Sequence, residues 1–166
     1  MTSILVKFST IAVLAVGLAA CGDKFNGGTN GNIGGIQPGS PSDPTSLAYF
    51  QQTIGDRVLF AVDQSALNAE ATSVLNGQAT WLLQNTQYVV TIEGHADEQG
   101  TREYNLALGA RRASAARDYL VDRGVADNRV KTLTYGKERP LAICSTEECW
   151  SKNRRAVTVV GAALGS

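Results

Sequence analysis

From Leu47 onward, the apolar residues of this chain recur with the spacings of secondary structure. Arg57-Val58-Leu59-Phe60-Ala61-Val62 reads as a strand, and Leu67, Ala71, Val74, Leu75, Ala79 and Leu82 mark one face of a helix over 67–83. Tyr88 to Glu93 is rich in β-branched residues and predicts a second strand. A long helix follows, with Thr101 as its N-cap, the body reaching about Asp122 and Gly124 at its C-terminal cap. Val130 to Tyr135, closed by Gly136, and Arg155 to Val160 supply two further strands. Two strand–helix–strand connections predict a two-layer α/β (α+β) sandwich, a four-stranded sheet with its helices on one face. The domain is expected to span 47–166.

The first forty residues follow another pattern. Within 1–20 the only charge is Lys7, and the apolar run Ile11 to Ala20 is too short to cross a hydrocarbon core, which takes about 20 residues. It has the size of a signal-peptide apolar region. Leu18-Ala19-Ala20-Cys21 resembles the lipobox of bacterial lipoproteins, which implies cleavage before Cys21 and acylation of its thiol. One acyl chain binds a membrane only marginally, and stable anchoring takes two or more. Lipoproteins of this kind carry three, and Gly22 after the cysteine, where aspartate would favour inner-membrane retention in enteric bacteria, implies the outer membrane.

Residues 21–46 are dominated by Gly, Asn, Ser and Pro, and only Phe25, Ile33 and Ile36 offer apolar surface. Such a segment predicts a flexible tether with a mean span of roughly 25–30 Å and a stretched length of about 80 Å. No strand precedes its glycines and no helix follows directly, which argues against a phosphate-binding loop. The 15 basic and 15 acidic residues balance, so no basic footprint for nucleic acid is present.

The most specific stretch is Glu93 to Leu120. On a helix turning about 100° per residue, Asn105, Leu108, Gly109, Arg112 and Ala116 share one face, and Arg111 lies off it. Gly109 in mid-helix costs about 1 kcal/mol relative to alanine. Close helix–sheet packing and close approach of a ligand would each account for it. Asp97 lies on the loop feeding the helix N-terminus, where amide donors and the dipole favour anions. A fixed carboxylate, amide donors and the Arg112 fork suit a zwitterionic amino-acid head group: Arg112 for its carboxylate, Asp97 for its ammonium. Asp97→Ala and Arg112→Ala are each expected to weaken binding at least about tenfold, with the fold intact.

At these residues the chain resembles the Pal-type peptidoglycan-associated lipoproteins, whose globular part is an OmpA-like domain. The likeness runs from Val58 to about Val160 and includes V-L-F-A-V-D-Q-S-A-L, the N-x-x-L-G-x-x-R-A block from Asn105 to Ala113, Y-G-K-E-R-P and S-K-N-R-R-A-V. It implies a βαβαββ-type domain with a mixed sheet. It also implies that Asp97 and Arg112 hold the diaminopimelate head group of a peptidoglycan stem peptide, with Phe60, Asp63, Thr101, Asn105, Leu108 and Ala113 around the pocket. Many members have arginine where this chain has Gln99, so a cationic contact there is lost or passes to a neighbour such as Arg102. The implied partners are peptidoglycan, TolB and other Tol-system proteins, and outer-membrane lipid through Cys21. The implied role is to link membrane and wall during division.

Two rival readings belong to other classes. A peptidoglycan hydrolase would draw on His95-Ala96-Asp97-Glu98, yet His95 is the only histidine and catalytic zinc usually needs three protein ligands. No cofactor or metal is called for, and His95 is expected to be a hydrogen-bonded structural residue. A scaffold for partner proteins is the other rival. Asn153, Arg154 and Arg155 are expected to orient the last strand or brace the pocket. With Cys21 assigned to lipid, the oxidising periplasm makes a Cys144–Cys149 disulfide the default, two reduced thiols being the alternative. A regular helix would separate their α-carbons too far, so the chain must bend across Ser145 to Glu148.

Overall fold

The computed structural model describes residues 37–162. The leader 1–20, Cys21 and the tether up to residue 36 lie outside the described residues. Residues 37–46, which composition assigns to the tether, form successive turns. Asp43 organises them: its carboxylate accepts from the amides of Gly39 and Thr45, at 2.9 Å each, and from the Thr45 hydroxyl at 2.8 Å. The Pro44 carbonyl then takes the Trp81 indole N–H at 2.6 Å, which ties these turns to the domain. Composition alone misses such side-chain-to-backbone bonds.

The elements that follow are α1 (Leu47–Tyr49) running into a π-helical turn (Phe50–Gly55), β1 (Arg57–Leu59), α2 (Ala69–Gln84), β2 (Tyr88–His95), α3 (Arg102–Asp122), β3 (Val130–Gly136), α4 (Glu147–Asn153) and β4 (Arg155–Ala162). The strands form one mixed sheet in the order β1-β4-β2-β3. β4 is antiparallel to both neighbours, and β2 and β3 run parallel, joined by the crossover through α3. The four predicted strands and two long helices are all present. β1 stops three residues early: beyond Leu59, which pairs with Arg155, the Phe60 amide still bonds to the Arg154 carbonyl, and the chain then turns at Val62 and Asp63. The π-helical turn and α4 had no periodic signal of useful length.

α2 and α3 cover one face of the sheet and bury Leu75, Leu82, Ile92, Leu120, Val90 and Phe50 between the layers. Buried Gln78 is fully engaged there: its amide donates to the Gly55 carbonyl and its oxygen accepts from Thr158, both at 2.7 Å. α2 begins two residues later than the periodicity predicts, at Ala69, whereas the ends of α3 fall where the sequence indicates. Asn68 caps α2 and Thr101 caps α3 through side-chain oxygens, and α3 closes with Gly124 at φ +98°. The Gly124 amide bonds to Val121 O and the Val125 amide to Leu120 O, the paired bonds of a Schellman cap.

Gly109 has its explanation in the sheet. A β-carbon on Gly94 of β2 would lie 1.8 Å from the Gly109 carbonyl oxygen, and one on Gly109 would lie 2.5 Å from Thr134 Oγ1. Two glycines face each other across the layers and let α3 rest almost backbone-to-backbone on β2. Helix–sheet packing occupies that turn.

Candidate functional site

At the end of the sheet where β2 leads into α3, a cavity of about 280 Å³ is lined by Val62, Asp63, Asp97, Gln99, Gly100, Tyr104, Asn105 and Leu108. Two segments make its mouth. One is the turn after β1, where Asp63 takes the left-handed conformation at φ +57°. The other is the β2–α3 loop, where Gly100 at φ +88° turns the chain into the helix. The Tyr104 hydroxyl donates to Asp63 Oδ1 and joins the two segments. Asn105 donates to the Gln99 carbonyl at 2.7 Å, and Lys137 donates to the carbonyls of Gly100 (2.7 Å) and Glu98 (3.3 Å). The loop is thus held from α3 and from the segment after β3.

Asp97 is 8% exposed. Its Oδ1 accepts the Gln99 amide at 3.1 Å, and its Oδ2 accepts Arg154 Nη1 at 3.2 Å. Arg112 lies behind the wall and has no exposed surface at all. Its Nε donates to Gln64 O (2.8 Å), Nη1 to His95 O (2.9 Å) and Nη2 to Ala61 O (3.2 Å), and its guanidinium lies 5.2 Å from the centre of the Phe60 ring. The helix-face reading of Arg112 agrees with the buried positions on α3, but no open fork reaches the cavity: the turn after β1 folds over the guanidinium and takes two of its N–H groups, and the end of β2 takes a third. Burial pulls the Arg112 pKa down to about 10 against the charges of Asp97 and Asp63, which favour the cation. That value leaves it charged at neutral pH.

The residues singled out from sequence therefore separate by position. Asp63, Asp97, Asn105 and Leu108 line the cavity, and Phe60 and Arg112 form a layer behind it. Thr101 is exposed and caps α3, and Ala113 belongs to the core, beneath Gly94. Gln99 lines the cavity, whereas Arg102 pairs with Glu138 at 3.2 Å. Sequence reasoning missed Val62, Gly100 and Tyr104, and it missed that Asp97 pairs with Arg154. The S-K-N-R-R segment was the only signal for Arg154.

Asn153 and Arg155 act on backbone. Asn153 accepts from the amides of Leu141 and Ala142 and donates to the Ala142 carbonyl, and Arg155 donates to the carbonyls of Asn153 and Arg139. Cys144 and Cys149 are joined by a disulfide with α-carbons 5.6 Å apart. α4 starts only at Glu147, so the bend falls at Ser145 and Thr146, before Cys149 enters the helix.

His95 differs from its expected role. Its ring stacks on Tyr135 at 5.4 Å and is not part of the cavity lining. Neither ring nitrogen has a hydrogen-bond partner among the described residues, and the Glu93 carboxylate is 3.8 Å from Nε2. That carboxylate alone would favour a charged imidazole. Burial first, then the charges of Arg155 and Arg139, outweigh it and pull the pKa down to about 4. Among the described residues, no group of three or more His, Cys, Asp or Glu side chains is placed to hold a metal ion. Nor is any described helix long and apolar enough to cross a membrane.

The model of the OmpA family matches residues 59–154, which hold most of this two-layer domain and the cavity at its β2–α3 junction, and the chain belongs to that family. Within it, the chain is 51% identical to the peptidoglycan-associated lipoprotein of Rhizobium meliloti (strain 1021), over 91% of this chain and 85% of that one. It is 49% identical to the peptidoglycan-associated lipoprotein of Mesorhizobium japonicum, over 95% and 92%. The crystal structure of the peptidoglycan-associated lipoprotein from Burkholderia pseudomallei superposes with a TM-score of 0.65 at 36% identity, covering 73% of this chain and 98% of that one.

Proposed function

We propose that this protein is an outer-membrane lipoprotein whose cavity binds the zwitterionic end of diaminopimelate in peptidoglycan stem peptides, without cutting them. The observation that carries the reading is a cavity walled by two carboxylates, Asp63 and Asp97, with two buried guanidinium groups, Arg112 and Arg154, behind them. A ligand ammonium would meet the acids first. The ligand carboxylate would be drawn by the arginine charges and by the N-terminal end of α3. Nη1 and Nη2 of Arg112 each carry two protons and have one acceptor apiece among the described residues, so a donor remains on each. Reaching them requires the turn carrying Asp63 to shift.

The names of the relatives support the association with peptidoglycan. An acylated Cys21 would hold the domain beneath the outer membrane. In the Tol system, TolB would compete for the same face, and the protein would link membrane to wall during constriction. The hydrolase reading is not favoured, because the one histidine that could serve as a base turns its ring toward Tyr135, away from the cavity.

Incubation of the purified protein with sacculi tests this directly. The wild type is expected to co-sediment with intact glycan and release no muropeptides, and Asp97→Asn is expected to lower the bound fraction at least about tenfold. Released muropeptides would make it an enzyme. Equal pelleting by the Asp97→Asn variant would remove the site.

A further inference from the structure

Arg154 touches neither the cavity nor solvent to any extent, its side chain being 4% exposed, yet it joins three separate pieces of the site. Nε donates to the Phe60 carbonyl at the end of β1 (3.2 Å). Nη1 donates to Asp97 Oδ2 on the β2–α3 loop (3.2 Å) and to Glu147 Oε2 on α4 (3.3 Å), and Nη2 donates to Glu147 Oε1. The Phe60 amide in turn donates to the Arg154 carbonyl at 2.9 Å, so side chain and backbone of one residue clamp the exit of β1.

Asp97 depends on this arrangement. Its Oδ1 is held by the Gln99 amide and its Oδ2 by Arg154, and Arg154 is the only cationic side chain bonded to it among the described residues. Arg112 reaches Asp97 only through its field, having given its bonds to carbonyls. The outer partner, Glu147, is exposed and holds the guanidinium plane from the solvent side. A planar fork with donors on three edges can serve a carbonyl and two carboxylates together, which a lysine ammonium cannot do with fixed direction.

We infer that Arg154 is a positioning residue for ligand recognition: it fixes the Asp97 carboxylate at the cavity wall so that it meets a ligand ammonium, and makes no ligand contact itself. This rests on the stem-peptide reading above. It predicts an effect confined to one half of the ligand.

The test uses the full chain and three tripeptides differing only at the third residue: diaminopimelate, with ammonium and carboxylate; lysine, with the ammonium alone; and 2-aminopimelate, with the carboxylate alone. Affinities are measured for wild type, Asp97→Asn, Arg154→Gln and Arg154→Lys, with thermal unfolding of each. Arg154→Gln is expected to weaken the diaminopimelate and lysine peptides about fivefold or more and leave the 2-aminopimelate peptide unchanged. Arg154→Lys should recover part of that loss through its contact with Asp97. Equal weakening of all three peptides would make Arg154 merely structural and overturn the inference. Selective loss of the 2-aminopimelate peptide would make it a ligand contact, which also overturns it. If Arg154→Gln does not fold, Glu147→Gln, which leaves Arg154 in place but frees its solvent side, is read instead: the same ammonium-selective loss of smaller size supports the inference, and its absence contradicts it. Failure of the wild type to prefer the diaminopimelate peptide would refute the stem-peptide reading itself, whatever Arg154 does.

Discussion

Arg112 sits without solvent contact and satisfies the carbonyls of Ala61, Gln64 and His95, drawing the turn after β1 and the end of β2 onto α3. Removing it would strand three acceptors, and each unsatisfied buried polar group costs roughly 1–3 kcal/mol. Arg112→Ala is therefore expected to lower stability by about 3 kcal/mol or more, read from the denaturant midpoint. Sequence reasoning, which treats a helical arginine as a surface charge or a ligand contact, expects the fold to be untouched. Two of the carbonyls that hold it belong to a turn 48 and 51 residues away in the chain, and no local pattern announces them. His95 gives a second prediction at this scale. Its folded pKa of about 4 lies below its ordinary value of 6.5, so the unfolded chain takes up the proton first as pH falls. This contribution to stability is fully present above about pH 6.5 and is lost as pH drops toward about 4, a difference on the order of 3 kcal/mol. Urea titrations of wild type and His95→Phe between pH 7 and 4 should show a shallower decline in the variant; parallel declines would mean that the imidazole is not held neutral.

At the scale of elements, α3 was the most legible and α4 the least. Thr101, Gly124 and the shared face from Asn105 to Ala116 each leave a mark within a few positions, and the helix forms between those marks. α4 spans seven residues, too few for a periodic signal, and its start is set by the disulfide bend and the Thr146 N-cap position. Its importance comes from what it carries. Glu147 holds Arg154, and Trp150 donates to Glu98 at 3.2 Å, so α4 is bonded to the loop that presents Asp97. Closing a loop as short as Cys144–Cys149 restricts the unfolded chain by about 2 kcal/mol. The double variant Cys144→Ser/Cys149→Ser is expected to lose about that much stability, and to exchange amide protons in 141–153 faster than in α3. Uniform acceleration across both helices would mean that α4 is not a locally stabilised unit.

For the whole molecule, the layer order, the four strands and the grouping of Asp97, Asn105 and Leu108 beside one cavity were readable, because burial periodicity and caps are local properties. How charges pair across the site was not. Asp97 and Arg154 are 57 residues apart and meet only because β4 lies between β1 and β2 in the sheet. The same topology brings the turn after β1 against the N-terminal end of α3, where the Tyr104 hydroxyl bonds to Asp63 across the cavity mouth. On the proposed function, this cavity, and no other surface, receives the charged end of a stem peptide. Titration of the isotopically labelled protein with a diaminopimelate tripeptide, followed by amide and side-chain NMR, addresses it directly. Saturable shifts are expected at Asp63, Asp97, Gly100 and Asn105, with ligand contacts to Tyr104 and Leu108. Shifts that leave these residues still, and gather on another surface, would contradict it.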